Sequence, residues 1–326
     1  MCCIQPGNEV TMVQEINFTS ATKMKKGYPK INKLGAVSPC GESTPFVFEN
    51  RVYRLELEDP TKGLDVNAPT CALIRDRETG EIISRFGEGC YYYSLYQEAG
   101  TVFVIGVKLQ PPRHAGDTFW IFESQDLRTW TARELLSNPG WDYYNTSLTK
   151  GPNGYVLLME AGEPGEYVGE HPFTLFFATS PDMVHWTFVD NDQCFSKDRY
   201  NGGPWMRYSN GWYYVISVTE MPCYRFTNYI YRTKDFETWE VGIYNPILMP
   251  SEEDRKISPY FYDLTPEFVK EIRDGFISNN SDVDMCDWNG KTLITYNVGN
   301  QLGFYYLAEA EYDGTVDEFL AACFDE

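Results

Sequence analysis

Basic residues are scarce: 27 lysines and arginines stand against 47 aspartates and glutamates, a formal charge of −20 over 326 residues. A surface of that sign repels a phosphate backbone or an anionic bilayer, so nucleic acid and membrane surfaces are poor partners. Long apolar runs are missing as well. Stretches such as Thr101 to Val107 and Trp212 to Val218 fall far short of the roughly 20 residues that span a bilayer, and a soluble protein is expected. Histidine occurs three times, at 114, 171 and 185, with no HExxH arrangement, which sets zinc hydrolysis aside. Nine cysteines are scattered, and apart from the Cys2-Cys3 pair none lies close enough to another for a CxxC site. Idle thiols are therefore expected, not a metal or redox centre. Met1 to Lys26 lacks the basic start and apolar stretch of a secretory signal, so a reducing cytoplasm is the expected compartment.

What the chain has in excess is aromatic: 16% of residues, as 24 Tyr, 20 Phe and 8 Trp. Such rings favour strands and offer flat apolar faces to sugar rings. With 43% hydrophobic residues the composition is that of a globular protein.

Two repeats set the fold expectation. A Ser/Thr-x-Asp-x-x-x-Trp box occurs at Ser124, Asp126 and Trp130, at Ser180, Asp182 and Trp186, and at Thr233, Asp235 and Trp239, with spacings of 56 and 53 residues. Its Asp is suited to capping backbone N–H groups at a turn and its Trp to packing between sheets, so the boxes are read as structural. A tight turn feeding a Tyr/Val-rich strand recurs five times, near 51, 100, 154, 211 and 290, at intervals of 49, 54, 57 and 79 residues. Hairpin signals at that spacing predict four-stranded units and an all-β, five-bladed β-propeller forming a single domain over 36–326, after an arm at 1–35 that adds a strand to the last blade. The longest interval holds one inserted short helix near 265–274: Thr265 as N-cap, Pro266 at the first position, Gly275 beyond the end. Little other helix is expected.

In a propeller the segments entering the innermost strands lie on one face and form a ring. Here the ring holds Glu42, Asn145, Asp282 and Asp284, and ring closure brings Glu42 next to the two aspartates. Val283 between those aspartates implies, by strand alternation, that both face one side. Glu160, ending an apolar run, reaches the same face, followed by a Gly-rich acidic loop that reads as a rim or lid. Carboxylates gathered in an aromatic-lined funnel are what glycoside hydrolysis requires: one protonated to act as acid, one ionised to activate water. Asn145, Arg199, Trp205, Arg207, His171 and Tyr91 are candidates for substrate binding, through hydroxyl hydrogen bonds, charge or stacking.

The five repeats, with FFATSPDMVHWT, YRTKDFETWE and GGPWMRYSNGWYYVISV, make the chain resemble the five-bladed propeller glycoside hydrolases, the arabinanase and xylosidase group of family 43 and the related family 32. The resemblance spans nearly the whole chain and implies carbohydrate hydrolysis, by inversion in the families closest in plan. It also implies three carboxylates, of which none is present: the positions read Thr44 before Pro45, Asn145 before Thr146, and Gly202 before Gly203-Pro204. A divergent branch is implied, with Glu42, Asp282, Asp284 and Glu160 as the candidate catalytic set. A glycosidase acting on a terminal or short-oligosaccharide bond is the first expectation. A carbohydrate-binding propeller without catalysis and a phosphate-dependent phosphorylase are the alternatives. No cofactor is expected, though the acidic ring would suit a structural or channel cation such as calcium.

Overall fold

A computed structural model describes residues 27–169, 171 and 173–325; the greater part of the expected N-terminal arm lies outside them. The chain is mostly strand. After β1 (Ile31–Ser38), a first sheet runs β2 (Ser43–Phe48), β3 (Arg51–Glu58), β4 (Cys71–Asp76) and β5 (Ile82–Phe86). A second follows with β6 (Cys90–Glu98), β7 (Thr101–Lys108), β8 (Thr118–Ser124) and β9 (Thr131–Ser137). The third is β10 (Asp142–Gly151), β11 (Gly154–Glu163), β12 (Thr174–Ser180) and β13 (Thr187–Phe188), with helix α1 (Gly165–Val168) between β11 and β12. Next come β14 (Gly202–Ser209), β15 (Trp212–Met221), β16 (Arg225–Thr233) and β17 (Trp239–Val241). Beyond helix α2 (Pro266–Asp274) lie β18 (Asn279–Trp288), β19 (Lys291–Gly299), β20 (Tyr305–Tyr312) and helix α3 (Val316–Ala322).

These last strands and β1 form one eight-stranded sheet, but β16 and β18 meet at a single parallel pair, Phe226 with Asn279. On either side of that junction stand two four-stranded antiparallel units, the second completed by β1 pairing with β20. The added strand begins at residue 31 and runs to 38, so the boundary expected at 35/36 would cut it.

All five hairpins fall where the turn signals lie. Four of their corners take the left-handed backbone that favours Asn and Gly at both positions, at Glu49 and Asn50, Ala99 and Gly100, Asn210 and Gly211, and Asn289 and Gly290. The boxes close the third-to-fourth strand turns. The Asp126 carboxylate accepts from the N–H groups of Arg128 (2.8 Å) and Thr129 (2.7 Å), and Asp182 and Asp235 repeat the arrangement. Asp76 does the same in the first unit without a Trp, accepting from Glu78 and Thr79. Trp130 stacks on Phe86 of the preceding unit, ring centroids 3.8 Å apart. Helix α2 begins at the expected cap, Thr265 accepting from the Phe268 N–H at 3.2 Å. Helix α3 was not expected; its signal is the capping box of Thr315 and Glu318.

The first strands of the units pack against one another in cyclic order, β2 on β6, β6 on β10, β10 on β14, β14 on β18 and β18 on β2. Between the first and last units lies a buried ionic network. The Glu309 carboxylate, fully buried, accepts from Arg77 at 2.8 Å and from Arg54 at 3.3 Å, and Arg54 also holds Glu56 at 2.8 Å.

Candidate functional site

Four of the five first strands carry a register shift near their start: between Tyr91 and Ser94, Tyr143 and Thr146, Gly202 and Trp205, and Ser281 and Asp284. A bulge turns a side chain that alternation would bury or expose and is common beside active sites. Within these bulges Tyr92, Gly203 and Asp282 adopt φ of 54°, 50° and 50°. For Tyr that is a rare conformation; Asp tolerates it. The bulges point their residues at one cavity lined by Glu42, Ser43, Tyr93, Asn145, Gly203, Asp282 and Asp284, among others. Asp282 and Asp284 thus share the cavity through a bulge, not through the regular alternation expected from Val283.

Glu160 stands just behind that wall, 3% exposed, at the far end of β11. One of its oxygens, Oε2, accepts from the Gly203 N–H (2.8 Å) and from the Asn145 amide (3.2 Å). The Gly203 backbone is wedged between two carboxylates, and a Cβ there would lie 2.3 Å from Asp282 Oδ1. Thr44 donates to Asp284 Oδ2 at 2.7 Å, and Ser281 donates to Asp282.

Among the described residues no lysine or arginine pairs with any of the four carboxyls, so burial and mutual repulsion govern them. Burial lifts Glu42 well above the ordinary carboxylate range, and the charges of Asp282, Glu160 and Asp284 push it further. Burial and then Asp282 push Glu160 up to about 8, against the two hydrogen bonds it accepts. Asp284 is raised to about 7, chiefly by burial, with Thr44 opposing. Asp282 is raised by burial while hydrogen bonds from Ser281 and Asn297 pull it back down. A group of acids that share protons near neutrality is equipped to hold one carboxyl protonated beside another that is ionised. Among the described residues no group of three or more His, Cys, Asp or Glu has the geometry of a metal site.

Around the acids runs a chain of aromatic rings contributed by the second, third and fourth units. Tyr91 packs on Tyr92 (4.7 Å), Tyr92 on Tyr144 (5.3 Å), and Tyr144 on Phe173 (4.6 Å). Phe173 then packs on Tyr200 (5.6 Å), Tyr200 on Phe226 (5.3 Å), and Phe226 on Tyr224 (5.0 Å). The Tyr200 hydroxyl lies 3.1 Å from where a side chain at Gly202 would begin. His114 joins the wall through its ring nitrogen and carbonyl, both on the Tyr92 hydroxyl at 2.7 and 2.9 Å. Of this wall Tyr91 is the member expected from the sequence, while Tyr92, Tyr144 and Tyr200 were missed. Their signal was present: each stands at the opening of a first strand, and two directly precede an Asn.

Other expected binding residues lie elsewhere. Arg199 is engaged by Asp198 at 2.8 Å in an exposed loop. Trp205 and Arg207 lie past the bulge on β14 and line an adjoining cavity of about 1100 Å³, counting its open mouth, formed by the continuing stretches of all five first strands and sharing Asp284 with the acidic one. There Arg207 pairs with Asp287 (3.3 Å) and Asp317 (3.2 Å). Residues along a strand move away from its mouth with every step, which proximity in sequence to Gly203-Pro204 concealed. His171 is exposed and does not line the acidic cavity. The acidic loop after Glu160 folds onto the third unit as α1, where Tyr167 stacks on Trp141 at 5.4 Å.

No protein-family model matches the chain, and no curated protein matches it in sequence. Solved structures do match it in fold. A complex of BT0996 with RGII superposes with a TM-score of 0.60 at 11% identity, over 88% of this protein and 92% of that one. A thermostable family-43 glycoside hydrolase gives 0.59 at 12% identity, over 86% and 91%. The α-L-arabinofuranosidase Arb93A from Fusarium graminearum, in complex with an iminosugar inhibitor, gives 0.55 at 14% identity, over 87% and 98%. At such identities the likeness is one of fold, and that fold is the one found in family-43-like glycoside hydrolases.

Proposed function

We propose that the five units close into a five-bladed β-propeller and that the protein is a glycosidase acting on a terminal or short-oligosaccharide bond. The cyclic packing of the first strands supports the closure, and the glycoside hydrolases of like fold support the reaction class. The observation that carries the function is three carboxyls lining one cavity beside a run of aromatic rings, with a fourth carboxyl behind it and no lysine or arginine paired to any among the described residues. Glu42, lifted well above the ordinary carboxylate range by burial and the neighbouring acids, is the general acid. Asp282, held down by two hydrogen bonds, is the base that takes a proton from water as the water attacks the anomeric carbon. Glu160, walled off behind Asn145 and Gly203 and lifted to about 8, is itself protonated near neutrality and fixes the Asn145 amide and the Gly203 N–H beside the acids. The acids come from units one and five, with the cavity between them, an arrangement suited to inversion, which needs room for a water. Proton NMR of the first anomer released checks that outcome.

A glycan-binding propeller without turnover is the second reading, favoured by Thr44, Asn145 and Gly202 at the three positions where the resembled families carry carboxylates. Phosphorolysis fits less well, since Arg199 and Arg207 are already paired and lie apart. A panel of nitrophenyl glycosides and plant oligosaccharides, run with and without phosphate, separates the three. Hydrolysis without phosphate supports the glycosidase, binding without turnover supports the second reading, and turnover only with phosphate supports the third.

A further inference from the structure

Glu42 and Asp282 carry the proposed catalysis, which leaves Asp284 in the same cavity with only a threonine hydroxyl for company. Nearby, Ser43 lines the cavity, is 6% exposed, and has a buried hydroxyl with no hydrogen-bond partner. A buried hydroxyl without a partner is unfavourable, so its partner is expected to arrive with the ligand. No lysine or arginine lines the cavity; Lys62 lies outside it, over the Tyr305 ring. What the cavity lacks is therefore a positive group with several donors. An anionic sugar, whether a uronate or a sugar phosphate, meets acids and no cation among the residues lining the cavity, against the background of a chain at −20.

We propose that the ligand of this site is a glycan whose sugar carries a free amine, its ammonium held by Asp284 and Ser43. This rests on the reading of the cavity as the glycoside site and names the substrate class within it. An ammonium brings three N–H donors and pairs with a carboxylate in a charge-assisted hydrogen bond. Its charge also stabilises the ionised forms of the neighbouring acids, so binding releases protons, and binding strengthens as the cluster ionises.

The test compares oligomers of glucosamine and galactosamine with their N-acetylated counterparts and with galacturonate oligomers, by titration calorimetry in two buffers of different ionisation enthalpy at pH 5 and pH 7. The amine oligomers should bind at least tenfold more tightly than the acetylated ones at pH 7, with proton release visible as a buffer-dependent heat and a smaller margin at pH 5. Asp284→Asn should remove the margin, and Ser43→Ala should narrow it. Equal or tighter binding of acetylated or acidic oligomers, or no binding of either amine series, overturns the inference. Hydrolysis of neutral oligosaccharides in that case would leave the glycosidase reading standing. Selective amine binding without any turnover would instead retain the inference as a binding specificity and remove the hydrolase.

Discussion

Glu160 shows most clearly how a single side chain connects burial to chemistry in this protein. It is buried, accepts two hydrogen bonds on one oxygen and faces other acids, and its pKa rises to about 8. A carboxyl whose folded value exceeds its unfolded one near 4 keeps an extra proton in the folded state between those limits. Stability therefore falls as pH rises from about 4 toward 8, by up to about 1.4 kcal/mol per pH unit for one such group. Asp284, raised to about 7, adds to the same trend over a narrower window. Melting temperatures measured from pH 5 to 8 should decline, and Glu160→Gln, which keeps an acceptor for Gly203, should flatten the decline and melt higher than the parent at pH 8. A parent whose melting temperature rises over that range would mean the cluster is not held protonated by the fold. Glu42, Asp282, Asp284 and Asn145 were legible in the sequence because each sits at the start of a first strand. Trp205 and Arg207 were misplaced because a few residues of strand carry a side chain from one cavity to the next, and Arg199 because its loop turns it to Asp198.

At the scale of elements, the bulges decide what the strands present. Hairpins were legible from Asn-Gly and its equivalents, and the boxes from Asp at fixed offset, because local backbone chemistry dictates both. The register shifts were not, since a bulge depends on what the partner strand and its ligand-facing side demand. Gly203 shows the consequence: its positive φ and the 2.3 Å approach of a would-be Cβ to Asp282 make it intolerant of any side chain. Gly203→Ala should cost roughly 1 to 3 kcal/mol through strain and displacement, and should lower turnover by more than its effect on binding, because it moves the proposed base. Chemical denaturation and steady-state kinetics together check this; a fully active Ala variant would show that Asp282 is not held where the reaction needs it.

Over the whole molecule, units far apart in sequence meet where β1 completes the last unit and where Glu309 of β20 is held by Arg54 and Arg77 of the first. Removing a buried acid leaves its partners' charges uncompensated, so Glu309→Ala should cost about 3 to 5 kcal/mol, read as a shift in denaturation midpoint. A loss below about 1 kcal/mol would indicate that the first and last units are not joined through this network. The repeats foretold a mostly β chain built of four-stranded sheets, whereas this seam of Arg54, Arg77 and Glu309 could not be read in advance, since the three are spread over 255 residues. The central claim, that the acids gathered by this closure perform hydrolysis, is tested most directly by Asp282→Asn assayed on the best glycoside of the panel. Asn tolerates the same backbone conformation, so the variant should melt within a few degrees of the parent at pH 5 while turnover falls at least a hundredfold. Unchanged turnover in a folded Asp282→Asn protein would contradict the account.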